Sequence, residues 1–298
     1  MKSPLPVGLR MMPAEKLFVI GTDMQWEEEQ ILSAGKGYGL ECVMLLASDI
    51  SIRLQGHDAD VLYKGSSIRA LLQKGSIIFR RARDARNRMI VLTLLADRWG
   101  IPHTDSILSI ATNLNKFLSI PQVPLQKISH VPTIFLDQEN HPENIAFPFP
   151  ILAKPVDGRH GEEIEIFHGA AALETFLART DRKHMMLQPF LSIEEEYRVF
   201  VIGNSSPGII KKIPQKGSRI ANYAAGASFV PAGIPPDIEQ ESIDICISCG
   251  IDVGGVDIAR IGNTYYLLEI NRCPEFRAFS SAMNMNVAEK IVAYLAGK

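Results

Sequence analysis

The segment GGVDIARIGNTYYLLEINRCPEF, residues 254–276, gathers carboxylate and amide oxygens at a spacing that suits cation binding. It reads as two strands joined at Gly262-Asn263. Glu269 and Asn271, two apart on YYLLEIN, leave the same face of the sheet. A three-residue connection (262–264) sets Asp257 opposite Glu269, whereas a two-residue loop slips the register by one and sends Asp257 to the other face. Three oxygen ligands on one face suit a hard cation such as Mg2+, which takes a few carboxylates and leaves room for phosphate oxygens. The plainer reading is a hairpin whose polar residues face water. Leu267, placed on the Glu269 face within an apolar run, argues against it.

A second group of residues has chemistry suited to anions. Lys154 ends the apolar strand ILAK, Pro155 stops ladder pairing, and DGRHGEE (157–163) leads into the next strand. Such a strand, glycine loop and strand form a flap in which Gly158 and Gly161 bring backbone N–H groups close to an anion, His160 reaches a phosphate, and Lys154 supplies a point charge. No G-K-[ST] follows, so it is not a P-loop. A simple hairpin with a surface lysine is the alternative, and Asp157, Glu162 and Glu163 favour it, because they repel phosphate unless a metal lies between. MLQPFL (186–191) links two lobes and offers backbone groups to an adenine edge if a nucleotide binds there. The run Glu194-Glu195-Glu196 then either bonds a ribose or forms a solvated loop. Arg198 shares a strand face with Phe200 and Ile202, and a bidentate arginine suits a carboxylate or an acyl phosphate. Lys211 and Lys212 point to opposite faces, so only one can join it, and Lys212 is favoured. Asn222, in RIANYAAG, is a phosphate or metal ligand or a turn-forming asparagine.

The elements that must position these groups alternate at first between strand and helix: LFVIGT (17–22), a helix near 26–38, CVMLLA (42–47), DVLYKG (60–65), a helix from Ser66, IIFRRA (77–82) and an amphipathic helix over 84–99. That alternation predicts a parallel sheet flanked by helices. Gly100, Pro102 and HTDS (103–106) then break the pattern. The boundaries follow as 1–105 for an N-terminal α/β lobe, 106–187 for a central lobe with the flap, and 188–298 for a strand-rich C-terminal lobe with the cation site. The last lobe contains YRVFVIG, PGIIKKI, a helix near 236–249, the hairpin and a final helix VAEKIVAYL.

Composition bounds the rest. With 298 residues, 46% hydrophobic and 21% charged content, the chain is of ordinary globular type. A net charge of -2 gives no electrostatic argument for nucleic acid or a membrane surface, and no apolar run approaches a bilayer span. Residues 1–16 lack the apolar core of a secretory signal and read as a frayed extension. Four cysteines fit a reducing compartment, the cytoplasm. Cys246 and Cys249 form C-x-x-C without a second pair or a nearby histidine, so they read as buried helix residues stopped by Gly250. The seven histidines show no zinc spacing, and no G-x-S-x-G elbow is present.

Taken in order, GVDIARIGNTYYLLEINRCPEF, ILAKPVDGRHGEEI and MLQPFLSIEEEYRVFVIG resemble the metal hairpin, phosphate flap and hinge-plus-arginine strand of the ATP-grasp superfamily. The resemblance is greatest to its RimK-like branch of carboxylate–amine ligases, and the ending EF…VAEKIVAYL is closest to the lysine-biosynthesis type. It covers roughly 77–298. It implies an α/β (α+β) ATP-grasp fold preceded by a parallel-sheet pre-ATP-grasp lobe. It also implies Lys116 and Lys154 on ATP phosphates, and Gln188, Pro189, Phe190 and Leu191 around the adenine, with Glu194 and Glu196 beside it. Asp257, Glu269 and Asn271 would hold two Mg2+ ions, or Mn2+, while Arg198, Lys212 and Asn222 face the reacting phosphate. The substrates implied are an acid on a small molecule, peptide or carrier protein, together with an amine, and a homo-oligomer is compatible with the branch. Departures are Pro189 where an acidic residue is usual, Arg159-His160 in the flap, and YAAGA near Ala225 where an arginine precedes glycines. Two rivals stay open at this point: a phosphotransferase on the same scaffold, and a nucleotide-binding module with weakened turnover.

Overall fold

A computed structural model of the chain describes residues 15–112, 116–123, 125–136, 145–156, 164–178, 185–213 and 228–298. The extension 1–14, the flap loop with Gly158, His160 and Gly161, and the turn with Asn222 and Ala225 lie outside the described residues.

The first lobe runs β1 (Lys16–Gly21), α1 (Trp26–Gly37), β2 (Glu41–Leu46), β3 (Ile50–Gln55), β4 (Asp58–Tyr63), β5 (Ser66–Ser67), α2 (Arg69–Leu72), β6 (Gly75–Phe79), α3 (Arg86–Trp99) and β7 (His103–Thr104). Its main sheet is parallel, in the order β2-β1-β6-β7. β1 is buried on both faces, as central parallel strands are: Phe18 and Ile20 enter one core, Leu17 and Val19 another. DVLYKG does not join this sheet. It forms β4, paired antiparallel with β3 around a tight turn at Gly56, while Ser66 begins a short strand and the helix starts at Arg69. The alternation in ISIRLQ, followed by a glycine, was the hairpin signal.

The second part comprises α4 (Ile107–Thr112), α5 (Lys116–Ser119), β8 (Ile128–His130), β9 (Ile134–Phe135), β10 (Ile151–Pro155), β11 (Glu165–Phe167), α6 (Ala170–Leu177) and β12 (Met185–Pro189). A four-stranded sheet, β11-β10-β12-β9, packs on α6 through Ile151, Ala153, Phe167, Leu173, Phe176 and Leu187.

The third part comprises β13 (Glu195–Ile202), β14 (Ser205–Ile213), β15 (Ser228–Pro231), α7 (Pro236–Ser248), β16 (Val253–Ile261), β17 (Thr264–Arg272), α8 (Arg277–Met283) and α9 (Val287–Ala296). Its sheet has the order β15-β14-β13-β16-β17-β8. β8 thus leaves the 106–187 stretch to pair with β17, because the buried Glu241 carboxylate accepts from the backbone N–H groups of Gln126, Lys127 and Ile128. β12 runs past 187 while staying in the second sheet. One face of the six-stranded sheet packs on α7 through Val199, Val201, Val256, Ile258 and Ile270. On the other face, Phe200 and Ile210 meet α8, α9 and the first lobe. Cys246 and Cys249 are buried and unpaired at the end of α7, before Gly250 at φ 65. No helix among the described residues is long and apolar enough to cross a membrane.

Candidate active site

The hairpin turn is the two-residue Gly262-Asn263, with Ile261 paired to Thr264. On spacing alone that turn sends Asp257 away from Glu269. The structure restores the pairing with a β-bulge: Ile258 faces Leu267, Asp257 faces Glu269, and Leu268 is left without a partner. The one extra residue puts Asp257, Glu269 and Asn271 on a common face. The same bulge turns Leu267 to the opposite face, into the α7 core, and not onto the Glu269 face as the uninterrupted pattern implied. Gly262, at φ 57, supplies the left-handed turn.

Cross-strand pairing builds the rest. Arg198 lies opposite Asp257, and Glu196 opposite Lys212. Arg198 Nε and Nη2 donate to the two Asp257 oxygens, each at 2.7 Å, and Lys212 Nζ donates to Asp257 Oδ2 at 2.8 Å. Lys212 also donates to Glu196. Gly255, opposite Asn271, clears the path of the guanidinium: a Cβ there would stand 3.3 Å from Arg198 Cδ and from Pro274 Cβ. Asp257 and Lys212 are buried. Burial alone would raise the Asp257 carboxyl, but Arg198 and Lys212 overcome this and hold it down to about 2. Burial raises the Glu196 carboxyl against the pull of Lys212. Asn271 turns its NH2 toward Asp257 and Glu269, both at a long 3.5 Å.

Two lysines face this group from the second part of the chain. Lys116 Nζ lies 3.5 Å from Glu269, and its backbone N–H donates to Val156 O, tying α5 to the end of β10. Lys154, on β10, has its ammonium pulled down to about 8, first by desolvation and then by Lys116, with Glu269 opposing.

The hinge is more occupied than an open nucleotide edge would be. Gln188 Nε2 donates to Thr133 Oγ1 at 2.7 Å, Pro189 has no N–H, and the Phe190 N–H donates to Pro150 O. Leu191 O accepts from Ile193. Glu194 points to the hairpin turn, accepting from Gly262 N at 3.1 Å and pairing with Arg260 at 3.2 Å. The structure therefore brings together Lys116, Lys154, Glu196, Arg198, Lys212, Asp257, Glu269 and Asn271, and leaves Glu194 outside that cluster.

Two anchoring residues escaped the sequence reading. Arg272, directly after Asn271, donates to Phe79 O, Arg80 O and Asp105, and Asp105 also accepts from the N–H groups of Asp252 and Val253. The polar HTDS carried a signal, an acid in an inter-lobe link, but its partner stands 167 residues away.

Among the described residues no three His, Cys, Asp or Glu side chains form a metal cage of their own. Two carboxylates and an amide fit Mg2+ when the ion shares its shell with phosphate oxygens and water.

The fold has counterparts among solved structures. A solved structure of the ATP-grasp ligase PsnB, complexed with a phosphomimetic variant of minimal precursor, Mg and ADP, superposes with a TM-score of 0.73 at 16% identity, covering 96% of this chain and 99% of that one. D-alanine–D-alanine ligase from Bacillus anthracis, complexed with ATP, superposes at 0.63 with 13% identity over 95% and 97%. These likenesses define the ATP-grasp fold. In sequence, a probable alpha-L-glutamate ligase of Legionella pneumophila (strain Corby) is 24% identical over 206 residues, 67% of this chain and 68% of that protein. Residues 107–295 match the RimK-like ATP-grasp domain, and the chain belongs to that family. It is an ATP-dependent ligase joining a carboxylate to an amine, and ligases of this family use ATP with Mg2+.

Proposed function

We propose that the face bearing Arg198, Lys212, Asp257, Glu269 and Asn271 is the reaction centre, and that the acid it activates belongs to a peptide or a small molecule. The observation that carries this reading is the cluster itself: among the described residues, three carboxylates, an amide and four cations from two sheets and α5 converge where a nucleoside triphosphate needs both signs of charge. Lys116 and Lys154 take the ATP phosphates, and the segment 188–191 lines the adenine. A substrate carboxylate oxygen attacks the γ-phosphorus and ADP leaves, giving an acyl phosphate. The amine then attacks the acyl carbon, loses a proton, and phosphate departs from the tetrahedral intermediate. Arg198 carries the charge that develops on the acyl oxygen, as a charged donor in a partly dry site. Lys212 faces the transferred phosphoryl group, and the resemblance assigns Asn222, outside the described residues, to the same group. The resemblance assigns Gly158, His160 and Gly161, which lie outside the described residues, the role of keeping water from the acyl phosphate. Bound Mg2+, as two ions or with Mn2+ in its place, would be held by Asp257, Glu269 and Asn271 and would neutralise phosphoryl charge.

Because PsnB was solved with a precursor and the Legionella relative is named a glutamate ligase, carboxylate-bearing peptides and glutamate are the first substrates to try. The test incubates the protein with ATP, Mg2+, such peptides and glutamate. Equal amounts of ADP, phosphate and a mass-shifted amide are expected, and lost in Asp257→Asn. A stable phosphorylated product, with no amide, would instead make it a phosphotransferase.

A further inference from the structure

The site's ion-binding carboxylate is already engaged by the chain's own cations. Arg198 takes both oxygens of Asp257 in a two-pronged bond, and Lys212 adds a third hydrogen bond to Oδ2. Glu269 faces Lys116 at 3.5 Å, and Asn271 presents amide hydrogens toward both carboxylates rather than its oxygen. The described residues provide no self-sufficient cage. Among the described residues the charges at the site are three carboxylates (Glu196, Asp257, Glu269) and four cations (Arg198, Lys212, Lys116, Lys154). A bare divalent cation would therefore have to pull Asp257 from two cations and leave them facing a third positive body. A triphosphate removes that conflict, since its oxygens can take over Arg198 and Lys212 as Asp257 is given up.

We propose that Arg198 and Lys212 act as internal counter-ions that bar the free metal ion, so that the site admits its divalent cation only together with the nucleotide phosphates. The two cations have different fates. Arg198 has Asp257 as its only carboxylate among the ion pairs of the described residues, so it is set free to turn to the phosphoryl and acyl oxygens. Lys212 keeps Glu196 and stays tethered, which makes Glu196 a positioning residue for that lysine. The inference rests on the proposed assignment of Asp257, Glu269 and Asn271 as the ion's ligands.

The distinguishing experiment measures Mn2+ binding by electron paramagnetic resonance, with and without a non-hydrolysable ATP analogue. Unmodified protein should bind Mn2+ weakly alone and tightly with the analogue. Arg198→Gln removes a positive charge and the competitor for Asp257, so it should bind Mn2+ alone at least about tenfold more tightly than the unmodified protein. Lys212→Gln should shift in the same direction by less. If Arg198→Gln is poorly folded, melting supplies the readout: Mn2+ alone should raise its melting temperature and leave that of the unmodified protein unchanged. Equal or weaker Mn2+ binding in Arg198→Gln, with no thermal rescue, overturns the proposal. Asp257→Asn separates the two layers. If it keeps full binding of Mn2+ with the analogue, the ligand assignment itself fails; if it loses that binding while Arg198→Gln gains nothing, only the counter-ion role fails.

Discussion

Adjacent residues on the same strands build two charge networks on opposite faces of one sheet. Glu195, Lys211 and Arg260 meet on the α7 side, with Arg260 Nε donating to Glu195 at 2.6 Å and the Tyr197 hydroxyl donating to the same carboxylate. Glu196, Lys212, Asp257 and Arg198 meet on the other side. The residue types are nearly identical, but the surroundings are not. Lys211 is 33% exposed and Lys212 is 6% exposed. Water screens the first network, which makes it a weak surface cluster. The second is largely desolvated, where an unmatched charge is costly and charges act strongly on a bound anion. Register parity, not composition, separates a structural network from a candidate reaction centre.

That contrast breaks most sharply at Asp257. Asp257→Asn leaves Arg198 and Lys212 short of their shared carboxylate, and it should lower stability by about 3–5 kcal/mol and ligation by at least about 10^3-fold. Denaturant melts and ADP release measure the two effects. If turnover survives, the two networks are functionally equivalent and the reading collapses.

The paired substitutions Lys212→Gln and Lys211→Gln sharpen it further. The first should lower the ligation rate about 10^2- to 10^3-fold, and the second should leave it within about twofold and change stability by about 1 kcal/mol or less. Equal losses would mean that burial is the wrong criterion.

A smaller effect comes from Lys154, whose ammonium sits at about 8 against an ordinary 10.5. Because its value is depressed, the desolvated charge opposes folding in full below about 8, and that opposition fades as the pH rises toward 10.5. Nucleotide phosphates reward the same charge, so ATP-analogue affinity should fall as the pH rises through about 8. Lys154→Arg should flatten that dependence in calorimetric titrations. A profile identical to that of the unmodified protein would remove Lys154 from the phosphate site.

The smallest effect belongs to Glu195, whose carboxyl is held down to about 2, foremost by Arg260 and then by Lys211 and Tyr197. Its contribution is present above 4.5 and lost as the pH falls toward about 2. Glu195→Gln should therefore reduce the acid-side loss of melting temperature and leave ligation at neutral pH unchanged. A fall in ligation would tie the α7 side to the chemistry.

Much of this molecule was legible as a pattern. The period-2 alternation of YRVFVIG and PGIIKKI separates Lys211 from Lys212 and places Arg198 with Phe200. The apolar runs LFVIGT and CVMLLA form the parallel sheet, and Gly250 ends α7 where the sequence puts it. DVLYKG pairs with β3 and not with the parallel sheet, because a short strand run carries no information about which sheet it will join.

By itself the sequence determined which residue types lie at which parity along each strand, since side-chain direction follows from backbone pleat alone. Tertiary structure decided three things. The bulge at Leu268 rescued the Asp257–Glu269 pairing that a two-residue turn denies. The sheet order set β13 between β14 and β16, so that Arg198 and Lys212 both reach one carboxylate. Arg272 found Asp105 and the end of β6 across the lobes, fixing the strand just beyond Asn271. The last two are long-range contacts, and all three depend on burial, which exists only once the chain has folded.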